Sequence, residues 1–264
     1  MNMGCDIHFY VEIKKDEKWV SADKWSADPY DCGDLEDIGI KWDDRFYTGR
    51  NYDLFAMLAN VRNGRGFAGV PTGTGFIPIA EPRGLPEDAS PEVKAISDRW
   101  NGDGHSHSWL TLAELLAYDW NQTTKHTGLV NLISFAEFMT KGKPPAWCGM
   151  VAGKYIKHIS NEEMAERVAL SQSSIAGYLE AASEYEKAAT SPEMESGPRA
   201  LTALEAMFKC DKETEASDGF SYYTRIYWHE TYADAAGDFL DKYLPKLQAL
   251  GKPEEVRIVF FFDN

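Results

Sequence analysis

The sequence predicts an α+β fold: a small mixed sheet formed by the N- and C-terminal strands, a C-terminal βαβ unit and a largely helical middle. Three observations predict it. Residues 4–13, GCDIHFYVEI, alternate polar and apolar side chains, the period of a strand with one buried face. Residues from about 111 to 210 carry apolar positions at helical spacing behind N-terminal capping signals. Residues 222–264 run strand, helix, strand, the order of a right-handed crossover unit whose strands lie parallel as neighbours or one strand apart.

In the first strand Cys5, Ile7, Phe9, Val11 and Ile13 share one face, and Asp6, His8, Tyr10 and Glu12 share the other. KKDEK is a polar turn and WVSADKW a return strand, so a hairpin opens the chain. Residues 23–50, rich in Asp, Gly and aromatics without periodicity, read as a long ordered loop. NYDLFAMLANVRN is a short amphipathic helix capped by Asn51. GRGFAGVPTGTGF holds G-x-G-x-x-G at Gly64, Gly66 and Gly69, but a dinucleotide fingerprint lies between a strand and a helix. Here the glycines follow a helix and run into Pro71, which predicts a mobile loop able to act as a lid.

Ser90 as N-cap and Pro91 at the first helical position start a helix that ends by Trp100. Thr111 to Glu114 is a capping box reached directly from GDGHSHSW. Further helices are predicted over 131–141, over 161–190 behind the Ser160–Glu163 box, and over 198–209. YYTRIYWHE is a strand, 232–250 a helix bent at Pro245, and EEVRIVFFFDN the closing strand. ATSPEMESGP at 189–198 is the only linker-like stretch, so residues 1–264 are expected to form a single α+β domain with a helical insertion at about 111–210.

Composition narrows the function. The 42 acidic against 27 basic residues give a formal charge of −15, which opposes general nucleic-acid binding and anionic membranes. No apolar run approaches a membrane span, and the N-terminus has no signal-peptide pattern. A cytoplasmic protein follows. Cys5, Cys32, Cys148 and Cys210 are widely spaced and read as reduced thiols.

If the terminal strands and the 222–230 strand pair in one sheet, one face is apolar beneath the 232–250 helix. The other then collects Asp6, His8, Glu12, Arg225, His229 and Asp263 as a pocket floor beneath the helical middle. Asp6, His8, His105 and His107 form a candidate metal set, since imidazole and carboxylate suit Zn, Mn or Fe. Asp103 and His105 form a candidate pair of orienting carboxylate and base. Arg50, Asn51 and Arg83 are candidate anion contacts. Arg50, Arg62 and Arg83 sit beside Gly, Asn and helix-terminal segments, although arginines in so acidic a chain are more often ion-paired.

The D-x-H of Asp6 and His8, the run GDLED at Gly33 to Asp37, GRNYD and GHSH at 104–107 resemble, in order, the metal-ligand blocks of calcineurin-like metallophosphoesterases. That resemblance implies two metal ions clamping a phosphate. In that family each block closes a buried apolar strand, and nothing apolar precedes GDLED or GHSH here. The ensemble MGCDIH, GRNYDLFAMLANVRN, EPRGLPEDASPEV, DGHSHSWLTLAELL and VRIVFFFDN resembles a protein family encoded by bacteriophages and prophages, over nearly the whole chain. It implies a phage origin, hence the cytoplasm of a host bacterium, and carries no activity across. Asn2 and Met3 before Gly4 depart from its usual opening, so a lipid on Gly4 is not suggested.

The expected function is a phage-encoded enzyme, a metal-assisted hydrolase of a small phosphorylated or nucleotide-like molecule. Asp6, His8, Asp103 and His105 would be its catalytic groups; Glu12, Arg50, Asn51, Arg83, Arg225, His229 and Asp263 would hold the ligand. The alternative is a non-catalytic binding protein that sequesters a host nucleotide signal or inhibits a host defence protein.

Overall fold

A computed structural model describes residues 4–27, 38–100, 102–190, 196–214 and 219–263. Cys32 and the GDLED run lie outside the described residues. In chain order the elements are β1 (Asp6–Lys15), β2 (Lys18–Ser21), β3 (Trp25–Ala27), β4 (Ile38–Ile40), α1 (Tyr52–Ala59), α2 (Pro91–Arg99), β5 (His105–Thr111), α3 (Leu112–Ala117), β6 (Thr123–Val130), α4 (Leu132–Lys141), β7 (Ile156–His158), α5 (Asn161–Leu170), α6 (Gln172–Thr190), α7 (Ser196–Thr214), β8 (Ser221–Thr231), α8 (Tyr232–Ala235), α9 (Leu244–Gln248) and β9 (Val256–Asp263). The fold is α+β. Among the described residues no helix is long and apolar enough to cross a membrane.

The chain forms two compact units, residues 1–126 with 230–264, and residues 127–229. In the first, the sheet order is β2-β1-β9-β5 with every neighbouring pair antiparallel. The two ends of the chain therefore lie side by side, in register from Asp6 opposite Asp263 to Ile13 opposite Val256. Asp16 and Glu17 both take positive φ between Lys15 and Lys18, the conformation a two-residue hairpin turn demands.

Alternation sorts the sheet into two buried faces. Cys5, Phe9, Val11, Ile258, Phe260 and Phe262 pack against α1, α3 and the 232–250 segment. Tyr10, Val259 and Phe261 pack against Val93 and Ile96 of α2 and Ile40 of β4. This second layer corrects the expected wet or site-forming face: its cover is α2 with β4, not the helical middle of the chain. Both faces of β9 are apolar, and a strand buried on both sides reads as a continuous apolar run, as VFFF does.

The expected pairing of the last two strands is also corrected. The strand, helix, strand succession is present, but β8 lies in a separate sheet of order β6-β8-β7, parallel to β7. Both edges of β9 are taken by β1 and β5, so no edge remains for β8. The connecting segment is broken rather than simply bent at Pro245. Gly237, at φ +63°, closes α8, and a π-turn over Phe239–Tyr243 precedes α9, because proline supplies no N–H to continue the ladder.

The second unit carries the helical middle. Val130, Leu132, Phe135, Met164, Ile175, Ile226 and Trp228 form its core. Asn131 caps α4 and Ser160 caps α5 by accepting N–H groups of Ser134 and Glu163. The predicted 161–190 helix is two helices meeting at Ser171.

Candidate functional site

One open pocket of ≈ 490 Å³ lies in the first unit, lined by Cys5, Asn60 to Asn63, Arg65, Gly66, Glu81, His105 and Ser106 among others. Its size falls in the range of small-molecule sites. Its walls come from the start of β1, the loop that follows α1, and the start of β5.

Local sequence builds those walls. Asn51 caps α1 by accepting the N–H groups of Asp53 and Leu54. Asn60 ends the helix in the left-handed region at φ +59°, a conformation asparagine tolerates. Arg62 follows at φ +54° and Gly64 at φ +65°, so the chain coils tightly and turns its side chains toward the cavity. Asn63 stitches the loop: its amide donates to Phe76 O at 2.7 Å and its Oδ1 accepts Phe76 N–H at 2.6 Å. The glycine-rich stretch expected to be a free lid is tied down at both ends, with Thr72 N–H also bonded to Gly64 O at 2.9 Å.

The opposite wall depends on a bulge. His105 pairs with Phe262 and Ser108 with Phe260, three steps on β5 against two on β9, and Ser106 absorbs the extra residue at φ +52°. The bulge sends the two histidines to different faces. His105 stacks on Phe262 and lines the pocket, whereas His107 stacks on Phe261 at 4.7 Å and bonds Ser97 Oγ at 3.0 Å. His105 Nδ1 lies 3.0 Å from Ser106 Oγ. Its Nε2 is buried and has no hydrogen-bond partner among the described residues. Among the described residues, three of the six non-glycine residues with positive φ, Asn60, Arg62 and Ser106, line this one pocket, and such strain persists where surrounding structure holds it.

Cys5 closes the floor. Burial pushes its thiol pKa up, against the hydrogen bond from the Arg62 guanidinium, so the group stays protonated. Arg62 also spans to Gly66 O and lies over the Tyr52 ring at 5.0 Å.

The remaining predicted residues are placed differently. Asp263 Oδ2 lies 3.2 Å from His8 Nε2 and its Oδ1 accepts Asp6 N–H at 3.0 Å. His8 is enclosed by Trp100 and Phe261, and this burial lowers its pKa despite Asp263. Burial, with His105 and His8 nearby, likewise lowers His107. Asp6 and Arg50 are an ion pair at 2.8 Å. Arg83 forks onto both Glu114 oxygens, at 2.6 and 3.2 Å, and lies over Trp109. Glu12 is fully buried against Arg257 and the Ser90 N–H. Asn51 is occupied by its cap and by Ala235 O at 2.8 Å. These contacts give Glu12, Arg50, Asn51 and Arg83 structural partners.

Two groupings do not form as expected. Arg225 and His229 belong to β8 and the second unit, where Arg225 reaches Thr127 Oγ1 and Gly149 O; they share no sheet with Asp6, His8 and Asp263. Asp103 is exposed, and the polar contact of His105 is Ser106 in its place. Among the described residues no group of three or more His, Cys, Asp or Glu is placed to hold a metal ion. Of the four expected ligands, His8 and His107 flank Phe261 from the two strands on either side of β9, and Asp6 is held by Arg50.

Sequence reasoning missed Arg65, Asn60, Asn63, Glu81 and Ser106. The signal within reach was N-V-R-N-G-R-G after a helix, a run of asparagine and glycine, residues that tolerate left-handed conformations, interleaved with arginine. Comparison with protein-family models, with curated proteins and with solved structures finds no match.

Proposed function

We propose that the protein binds a small phosphorylated or nucleotide-like molecule in this pocket, and that His105 is the proton-transfer group for its hydrolysis. The observation that carries the reading is His105 Nε2, buried and unpartnered among the described residues, in the pocket that Arg62 and Arg65 also line. A hydroxyl can donate to or accept from Nδ1, so that contact engages one ring nitrogen in either tautomer and leaves Nε2 to give or take a proton from a ligand. Guanidinium groups suit phosphate oxygens by charge and fork geometry. Arg62 and Arg65 thus take the anion-holding role expected of Arg50 and Arg83.

Water, activated by His105, is the attacking group, because the Cys5 thiol is kept protonated. That same protonated thiol favours a second reading, in which the pocket holds the molecule intact. In a phage-infected or lysogenic cell the two readings amount to destroying or sequestering a nucleotide signal.

Calorimetric titration with inorganic phosphate and with adenosine monophosphate, followed by a phosphate-release assay on the ester that binds, tests the proposal. Saturable binding that Arg65→Ala weakens at least tenfold is the expected result. Absence of binding by both probes overturns it, and binding without release selects the second reading.

A further inference from the structure

The pocket holds two opposite charges that do not neutralise one another. Arg65 is an exposed lining residue with no side-chain ion pair among the described residues. Glu81 lines the same cavity, and among the described residues its carboxylate accepts only from the Asn60 amide, at 3.0 and 3.2 Å. Asn60 occupies one direction at each oxygen, and a carboxylate offers about four acceptor positions. Glu81 thus arrives pre-oriented by Asn60 and retains acceptor capacity toward the cavity. In a chain where Arg50, Arg83 and Arg257 are all bound to carboxylates, an arginine and a glutamate that share a cavity and no bond stand out.

From this juxtaposition we infer that the pocket is specific for a small phosphate ester that also bears an amino group, the phosphate at the Arg65 end and the amine or exocyclic amino group at Glu81. The inference rests on the anion-binding reading above and specifies its substrate class. Electrostatics supports the order of the two contacts. Glu81 opposes a ligand that is anionic throughout, so a plain phosphate ester is disfavoured relative to one whose amine answers the carboxylate. Asn60, in its left-handed cap position at the end of α1, fixes Glu81 from the same loop that supplies Arg62 and Arg65. Both halves of the recognition therefore move together with one stitched segment.

The test compares two probes of nearly equal size, monoethyl phosphate and 2-aminoethyl phosphate, by calorimetry on the full chain. The wild-type protein is expected to bind the amino-bearing ester at least tenfold more tightly. Glu81→Gln keeps an acceptor for Asn60 and removes the charge; it is expected to bring the ratio near one while leaving the affinity for monoethyl phosphate unchanged or raised. A wild-type ratio near one, with both esters bound, overturns the inference and leaves anion binding standing. A ratio that Glu81→Gln does not change assigns the selectivity elsewhere and also overturns it. Failure of both esters and of inorganic phosphate to bind removes the anion-binding reading itself, and the inference with it.

Discussion

Glu12 Oε2 and Arg257 Nε meet at 2.7 Å across β1 and β9, with side-chain exposures of 0% and 3%. The pair joins the first strand of the chain to the last. Glu12 Oε1 accepts the Ser90 N–H at 2.6 Å, so the carboxylate also fixes the start of α2, whose own N-cap side chain makes no capping bond. Arg257 extends to Asp88 at 2.8 Å and stacks on Trp19 at 4.2 Å. Replacing Glu12 leaves the buried guanidinium only the exposed Asp88 carboxylate as a charge partner, and replacing Arg257 strands the Glu12 charge in the core. Glu12→Gln is expected to cost about 3–5 kcal/mol in urea unfolding. The double substitution to leucine at both positions should cost less than the sum of the two single changes; an additive result would show that the pair is not coupled.

Asp23 gives the fold a pH dependence of opposite sign to the usual carboxylate. Burial pushes its pKa up from 3.8 to about 7, against the hydrogen bonds from Val11 N–H and Ser21 Oγ. The folded state therefore binds a proton that the unfolded chain releases between those values. The stability this lends is complete below the unfolded pKa and is lost as pH rises toward 7, at most about 4 kcal/mol. Asp23→Asn keeps an acceptor for Val11 N–H, and the expected outcome is a flatter profile over pH 4–7. The same slope in the variant would place the titration on another group.

Turnover should depend on His105 far more than binding does. For the ester that binds, His105→Gln is expected to lower phosphate release by about 10²–10⁴-fold, the range for loss of a general acid or base. The dissociation constant should change little, since the anion is held by Arg62 and Arg65. Equal loss of both quantities would make His105 a binding residue, and unchanged release would remove it from the chemistry.

Gly73 is required by a close backbone approach. It sits at φ +158° beside His126, and a Cβ there would lie 2.4 Å from Lys125 O. Neither atom belongs to a side chain that can turn aside. Gly73→Ala is expected to destabilise the protein by on the order of 1–3 kcal/mol and to loosen the loop leading from Arg65 to Phe76, read as a fall in Tm and faster amide exchange at Thr74. Wild-type exchange in the variant would contradict the assignment.

Much of the local structure was legible in advance. The Asn51 cap, the Thr111–Glu114 capping box and the Ser160 cap all form as read, because a cap is settled within four residues. The alternation from Cys5 to Ile13 and from Val256 to Asp263 gave the correct faces, and the expected neighbourhood of the chain ends follows from β1 pairing with β9. GHSHSW carries no strand signal of its own and is placed by the sequence only as the segment leading into the Thr111–Glu114 capping box, yet it is β5; polar strands paired on one edge lack the apolar period that reveals them. His105 can be named from the sequence, but that its polar contact is Ser106 rather than Asp103 cannot, since both lie close along the chain and only the bulge decides between them.

By itself the sequence determined what depends on near neighbours or on composition: helix starts, the two faces of the terminal strands, and a formal charge of −15. Tertiary structure alone decided which edges of β9 were taken, that α2 covers the polar-looking face of β1, and that Arg50 and Arg83 are held by carboxylates while Arg65 opens on a pocket. The reason is physical. Periodicity and capping are local energies carried by adjacent residues, whereas strand order, charge pairing and cavity lining depend on residues brought together from distant parts of the chain.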